Sequence, residues 1–156
     1  MTTAKSLAEY YGLTYRVIRR QLDGITHEES LVQPPFRGNC LNWVLGHIVV
    51  SRTPLLTSLE EALPWTEADT ARYQRGSDPI TVQEQALPLP KLLEFLEESQ
   101  ARVLAGLARI STVRLEAQVD DGTLAEQIAL LNWHETYHVG QLELLRQLAG
   151  KNDKVI

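Results

Sequence analysis

Helical periodicity recurs in four separate stretches of this chain, and it constrains the fold more than any other feature. Apolar residues spaced three and four apart predict helices from Ser6 to Leu22, from Cys40 toward Glu60, from Pro90 to Ile110, and from Thr123 to near Gly150. Because no stretch shows sustained strand-like alternation, we predict an all-α fold, a four-helix bundle. At 156 residues the chain has the size of one domain, and we assign residues 1–156 to a single helical-bundle domain.

Capping patterns mark where a short helical turn and the last long helix begin. Thr26 is followed by Glu29 and Thr123 by Glu126, and this spacing is typical of a capping box at a helix N-terminus. Gly150 stands where the final helix should end, because glycine tolerates the left-handed conformation of the C′ position.

The remaining boundaries are predicted from single residues and from composition. Asn39 is a plausible N-cap for the second long helix, and Pro54 should kink that helix. The segment 62–87 is rich in proline and lacks a helical period, so it is predicted to be a long excursion that forms a lid or rim. Apolar alternation over 113–119 predicts a short extended connector, followed by a turn at 120–122.

Three histidines are the residues most indicative of chemistry. His134 and His138 lie four residues apart, so on a helix they point about 40° apart on one face and can reach the same ion. His47 lies on the predicted buried side of the second helix, and a bundle can bring it opposite this pair. The same face of the last helix is predicted to be its core-facing stripe, with these residues near its middle: Gln127, Leu131, Gln141 and Leu145.

Three convergent neutral imidazoles would form an open metal site. The set suits zinc, nickel, iron or copper and leaves a coordination position free. The alternative is that each is a buried histidine satisfied by hydrogen bonds. Cys40 is not expected to be a ligand, because seven helical residues place it about 10.5 Å along the axis from His47. His27 lies in a polar turn and is expected to be solvated.

The string from His134 to His138 also matches H-E-x-x-H, the pattern of zinc peptidases in which the glutamate is the general base. In one form of this motif a third histidine follows, and no histidine follows His138 in this sequence. In the other common form the third ligand comes from a downstream helix, and only 18 residues follow His138. On the helical wheel Glu135 lies about 80° from the middle of the ligand face. We therefore interpret it as a flanking residue, which either supports the site or pairs on the helix surface.

Two segments resemble a known family. Residues 132–141, NWHETYHVGQ, are similar to the C-terminal motif of the DinB-like superfamily, and residues 42–48, NWVLGHI, resemble the helix that carries its first metal ligand. The segment 72–77, RYQRGS, continues the likeness. The resemblance implies a four-helix bundle, often a homodimer, with a metal held by His47, His134 and His138.

The resemblance also implies an activity. Relatives include low-molecular-weight thiol S-transferases and a thiol-dependent isomerase, so we expect a metal-dependent enzyme that transfers such a thiol to an electrophilic small molecule. Zinc or nickel is the expected divalent ion, with iron or manganese as alternatives. Two other functions stay open: a metal-dependent hydrolase and a non-enzymatic metal-binding stress-response module. The roles of Glu135 and Gln141 in chemistry stay open too.

Net charge and composition indicate which classes of partner to expect. A formal charge of −5 has the wrong sign for binding nucleic acid over a broad surface. With one cysteine, no apolar run of membrane-spanning length and no signal-peptide core at the N-terminus, a cytoplasmic protein with no membrane partner is expected. The expected partner is a small-molecule substrate. These residues of the excursion are predicted either to line the site and hold an acidic substrate or to form a solvated rim: Trp65, Arg72, Tyr73 and Arg75.

Overall fold

Four long helical segments form the core of the structure, a computed structural model that describes residues 2–81, 83–153 and 155. Of the predicted domain 1–156, the remaining positions, Met1, Val82, Lys154 and Ile156, lie outside the described residues. The long segments are α1 (Ala4–Leu22), α3 (Leu41–Ser51) continued by α4 (Thr53–Ser58), α6 (Leu89–Arg109) and α8 (Leu124–Leu148). Helices α1 and α3 each pack against both α6 and α8. The predicted all-α fold is therefore confirmed.

Short elements connect the long helices. Three helical turns are α2 (His27–Ser30), α5 (Glu67–Thr70) and α7 (Thr112–Leu115), and two 3-10 turns span Ala71–Tyr73 and Gln83–Gln85. A two-stranded antiparallel hairpin, β1 (Gln118–Val119) and β2 (Gly122–Thr123), precedes α8. Within the part of the chain that the structure describes, none of the helices combines the length and the hydropathy that a membrane span requires.

Side-chain caps define two helix starts as predicted. The Thr26 hydroxyl accepts the Glu29 amide and the Glu29 carboxylate accepts the Thr26 amide, and Thr123 and Glu126 repeat this capping box at α8. Gly150 has φ +88°, a left-handed conformation that costs glycine little, and it follows the end of α8. These three boundary predictions are confirmed.

The second long helix differs from the prediction because it is broken rather than kinked. It begins with Cys40 as N-cap instead of Asn39, and it ends at Ser51. Arg52 joins the two segments, and Pro54 occupies the first turn of α4. Proline is tolerated there because amide groups in a first helical turn have no intrahelical acceptor. The chain can therefore restart a helix at Thr53, where the prediction had one helix continuing.

The connector before the last helix is also less extended than predicted. Ser111 accepts the Arg114 amide and starts the helical turn α7. In the part of the chain that the structure describes, pairing of extended backbone is limited to the hairpin of β1 and β2, with the predicted turn between them. Four alternating positions are too few to specify a strand, and the serine cap favours a local helical turn instead.

The excursion over residues 62–87 is fastened to α3 through Tyr73. The Tyr73 hydroxyl donates to Asn42 Oδ1 at 3.0 Å and accepts the Leu87 amide at 2.8 Å. The Tyr73 ring lies directly over Gly46, where a Cβ atom would collide with it. Glycine at this position therefore lets the excursion approach the helix that carries His47.

Candidate metal centre

Three histidine side chains from two helices meet at one point beside α8. The Nε2 atoms of His134 and His138 are 3.1 Å apart, and the His47 ring lies 5.3 and 4.7 Å from their ring centroids. One ligand nitrogen from each residue lies within 4.8 Å of the other two. The convergence predicted from the sequence is confirmed.

Hydrogen bonds orient two of the rings so that Nε2 faces the common point. His47 Nδ1 lies 2.8 Å from the Tyr73 carbonyl oxygen, and His138 Nδ1 lies 2.7 Å from Gln141 Oε1. Because a carbonyl oxygen only accepts, each Nδ1 carries the proton, and the lone pair is on Nε2. Gln141, whose role the sequence left open, is thus the residue that orients His138.

The surroundings favour neutral imidazoles. Burial lowers the pKa of His138 to about 4, and the neighbouring His47 and His134 add to this effect. Burial also lowers the pKa of His134, with further lowering from His47 and Arg75. Neutral imidazole is the form that binds metals, and the 3.1 Å between the Nε2 atoms of His134 and His138 suits two ligands that each lie about 2.0–2.1 Å from one ion. The donor set therefore fits a divalent ion.

The core-facing side of α8 differs from the predicted one. Its buried residues are these: Leu124, Ala125, Ile128, Glu135, His138, Val139, Leu142 and Arg146. On the helical wheel the centre of this buried face lies near Glu135. It is about 80° around the helix axis from the centre of the face that was predicted to point to the core. His134 and Gln141 consequently lie half-buried at the edge of the core. This rotation leaves the histidine cluster open to solvent on one side.

Glu135 is buried in an ion pair that was not predicted from the sequence. Its oxygens accept from Arg52 Nε at 2.9 Å and Nη2 at 2.7 Å, and both side chains are almost completely buried. Arg52 Nη1 also donates to the Leu96 carbonyl and to Ser99 Oγ. The prediction of a helix-surface pairing for Glu135 is wrong. The available signal was Arg52 itself, a single charge within a long apolar stretch that requires a buried partner.

This ion pair argues against the peptidase interpretation of H-E-x-x-H. A general base needs a free carboxylate oxygen directed at the reacting water. Both oxygens of Glu135 are occupied by Arg52. The glutamate in this chain thus stabilises the bundle beneath the histidines.

A cavity of about 330 Å³ forms the open side of the cluster, and we call it the mouth. Its lining residues are His47, Val50, Ser51, Thr53, Pro54, Gln74, Arg75 and His134. A second cavity of about 400 Å³ is bordered by Phe36, Arg37 and Leu144, and Gln141 also lines it. The mouth is the cavity that two of the histidines line, His47 and His134.

Of the four excursion residues proposed for the mouth, Arg75 is the one that lines it. Trp65 packs edge-on against Phe95, and Tyr73 is buried and reaches His47 through its carbonyl. Arg72 contributes its carbonyl, which accepts from Trp43 Nε1.

The two other candidate residues lie outside the cluster. Cys40 is buried, and burial raises the pKa of its thiol, consistent with the expectation that it is no ligand. His27 is half-buried rather than solvated, and its Nδ1 accepts the Leu89 amide at the start of α6. The expectation for His27 is therefore wrong. The Leu89 amide lies in the first turn of α6, where it has no acceptor within the helix, and His27 Nδ1 serves as its acceptor.

Comparisons with known proteins agree with this architecture. The sequence profile of the DinB superfamily matches residues 11–142. A crystal structure of a conserved protein from Enterococcus faecalis is similar, with a TM-score of 0.72 over 96% of this chain and 98% of that chain, at 17% identity. That likeness concerns the fold alone. A search of curated proteins finds no match.

Proposed function

Because this chain belongs to the DinB superfamily, we propose that it is a metal-dependent enzyme that transfers a low-molecular-weight thiol to an electrophilic small molecule. One divalent ion would be held by His47, His134 and His138. The observation that carries the proposal is the convergence of three imidazoles at a cavity, which leaves room for an exogenous ligand. We propose zinc or nickel as the ion, with iron or manganese as alternatives.

The bound ion would supply Lewis acidity, which lowers the pKa of a coordinated thiol or water enough to deprotonate it near neutral pH. The chain supplies orientation and shielding. The Tyr73 carbonyl accepts a hydrogen bond from His47 Nδ1, and Gln141 Oε1 accepts one from His138 Nδ1. The Trp43 ring stacks on His47 at a centroid distance of 4.9 Å. This stacking excludes water from one side of His47, so that ligands must approach through the mouth.

Thiol binding to cobalt-substituted protein tests this proposal. We expect a small thiol to produce a saturable sulfur-to-metal charge-transfer band in the wild type, because three protein ligands leave a coordination position open. The same titration of His47→Ala should give no band. His27→Ala is a matched control outside the cluster and should behave like the wild type.

The outcomes separate the alternatives. A response to azide or phosphate without any response to thiols would contradict thiol transfer and favour hydrolysis through metal-bound hydroxide. If no exogenous ligand reaches the bound cobalt, the enzyme proposal is wrong and a non-enzymatic metal-binding module becomes the better interpretation.

We also propose that the protein is a homodimer that covers the outward face of α8. This face, opposite the bundle core, exposes Leu130, Trp133, Tyr137 and Leu144 by 62, 64, 58 and 68%. A helix that is apolar on all sides is normally buried on all sides. We therefore expect a protein surface to pack against this outward face. A second copy does so with an identical patch, as in a two-fold interface.

Oligomeric state decides this point. We expect dimeric wild type by light scattering and sedimentation, and a monomer when Trp133 and Leu144 are both replaced by glutamate, because the charges would be buried at the interface. Val113→Glu changes an 80% exposed apolar residue elsewhere and should leave the dimer intact. A monomeric wild type would contradict the proposal.

The remaining partners follow from charge and cysteine content. The net charge of −5 supports a small-molecule substrate rather than nucleic acid. Cys40, the single cysteine, is a buried free thiol. We propose a cytoplasmic location, where free thiols persist.

A further inference from the structure

The mouth has a charge opposite to that of the whole chain. Its described lining residues include the cation Arg75 and no aspartate or glutamate, although the chain carries a net charge of −5. Three of its other lining residues, Ser51, Thr53 and Gln74, are polar but neutral. A ligand in this cavity therefore meets positive charge without a protein carboxylate beside it.

The nearby carboxylate does not compensate this charge. Glu135 follows His134 in the chain, but its two oxygens are paired with Arg52 beneath the histidines. The histidine rings themselves are neutral ligands, so that a bound divalent ion keeps its full charge. One thiolate would neutralise half of that charge, and Arg75 adds another positive charge at the cavity wall.

A structured turn holds Arg75 at the mouth. The Ser77 amide donates to the Gln74 carbonyl at 3.1 Å, and Gly76 has φ +86°, as expected for the third position of a type II turn. Arg75 occupies the second position. The turn is tied to the metal centre, because Ser77 Oγ accepts from Trp43 Nε1 at 3.0 Å and the Trp43 ring stacks on His47.

The Arg75 side chain is available for a ligand. It is exposed, and it takes part in no ion pair or hydrogen bond with the described side chains. Arg102 and Arg109, by contrast, pair with Glu98 and Glu61. The guanidinium group presents a planar set of donors that matches a carboxylate.

We propose that Arg75 binds a carboxylate of the ligand that enters the mouth, so that the thiol substrate carries a carboxylate group besides its sulfur. This inference rests on the proposed function, because it assigns a group of the molecule whose thiol binds at the histidine centre. Arg75 is then a specificity-determining residue. The sulfur is held at the ion, and the carboxylate is held at the wall of the cavity.

Three small thiols on cobalt-substituted protein test the proposal. Mercaptopropionate carries a carboxylate, mercaptoethanol is neutral and cysteamine is cationic. Because these thiols differ in their own pKa values, the dissociation constants of wild type and variant are compared for each thiol separately. We expect Arg75→Ala to raise the dissociation constant of mercaptopropionate about five-fold, as for the loss of a partly exposed ion pair. The dissociation constant of mercaptoethanol should not change. Cysteamine should bind equally well or better.

Two matched variants and salt complete the design. Arg75→Lys keeps the charge and should retain part of the preference, whereas Arg37→Ala removes a charge from the second cavity and should have no effect. The effect of Arg75→Ala should shrink in high salt, because exposed charges are screened.

Failure of this inference differs from failure of the proposed function. If Arg75→Ala changes all three dissociation constants by the same factor, Arg75 does not recognise the carboxylate, while thiol binding at the metal stands. If wild-type cobalt protein gives no charge-transfer band with any of the three thiols, the thiol-transfer proposal is wrong, and this inference is wrong with it.

Discussion

Replacing any one of His47, His134 or His138 by alanine is expected to abolish stoichiometric binding of a divalent ion. Each imidazole supplies one of three protein ligands. We expect the two that remain after a substitution to bind the ion too weakly for stoichiometric occupancy. Wild-type protein stripped with a chelator and reloaded with zinc or nickel should contain about one ion per chain. Elemental analysis and competition with a chromophoric chelator measure both quantities.

A graded series makes this prediction sharper. Gln141→Leu keeps all three ligands but removes the acceptor of the His138 Nδ1 proton, so we expect a loss of affinity of about 10–100-fold, less than for a missing ligand. His27→Ala changes a histidine that lies at the start of α6 and should bind like the wild type. Stoichiometric metal in the double variant of His134 and His138 would show that the site assignment is wrong.

The second large effect is expected at the ion pair of Arg52 and Glu135. Removing either partner alone, by Arg52→Met or Glu135→Leu, should lower the free energy of unfolding by about 3–5 kcal/mol, because an uncompensated charge is left buried. Total stabilities of single domains are about 5–15 kcal/mol, so either variant is close to unfolding. The double variant should recover most of the loss, since neither charge then remains. Urea unfolding of metal-free protein measures these differences.

An exposed pair provides the control for stability. Lys91 and Glu94 lie 3.0 Å apart but are about half exposed, so Glu94→Gln should cost less than about 1 kcal/mol. Glu135→Gln, which preserves the side-chain shape, should be strongly destabilising yet still bind about one ion per chain, because its oxygens contact Arg52 rather than the histidine cluster. A Glu135→Gln protein as stable as the wild type would contradict the structural role. Loss of metal equal to that of His138→Ala would make Glu135 a ligand.

Local sequence was sufficient to predict those features that depend on nearby residues alone. The capping boxes at Thr26 and Thr123 each require two residues three positions apart, and both are present. The pairing of His134 with His138 follows from the helical repeat, which brings residues four apart onto one face. The four long helical segments could likewise be predicted, since apolar spacing repeats within each of them.

Sequence alone could not determine how the last helix is rotated toward the core. The helical repeat specifies angles between residues on one helix, but not which angle faces the neighbouring helices. Most helices reveal that direction because one side is polar, whereas α8 carries Trp133 and Leu144 on its outward face as well as Leu142 in the core. Packing against α1 and α3 decided it, and Glu135 rather than His134 became the most central residue.

Contacts between distant segments were decided by the tertiary structure for the same reason. Arg52 and Glu135 are 83 positions apart, and only the packing of two helices brings a buried cation to a buried carboxylate. The carbonyl of Tyr73 reaches His47 because Gly46 lets the excursion approach α3, a contact that no spacing rule contains. The sequence by itself determined where the long helical segments lie and which residue types bind the metal, but not the break of the second segment at Arg52. Only the fold decided which polar groups the core would neutralise and which histidines would stay open to a ligand, because burial and pairing depend on neighbours that are remote in the chain.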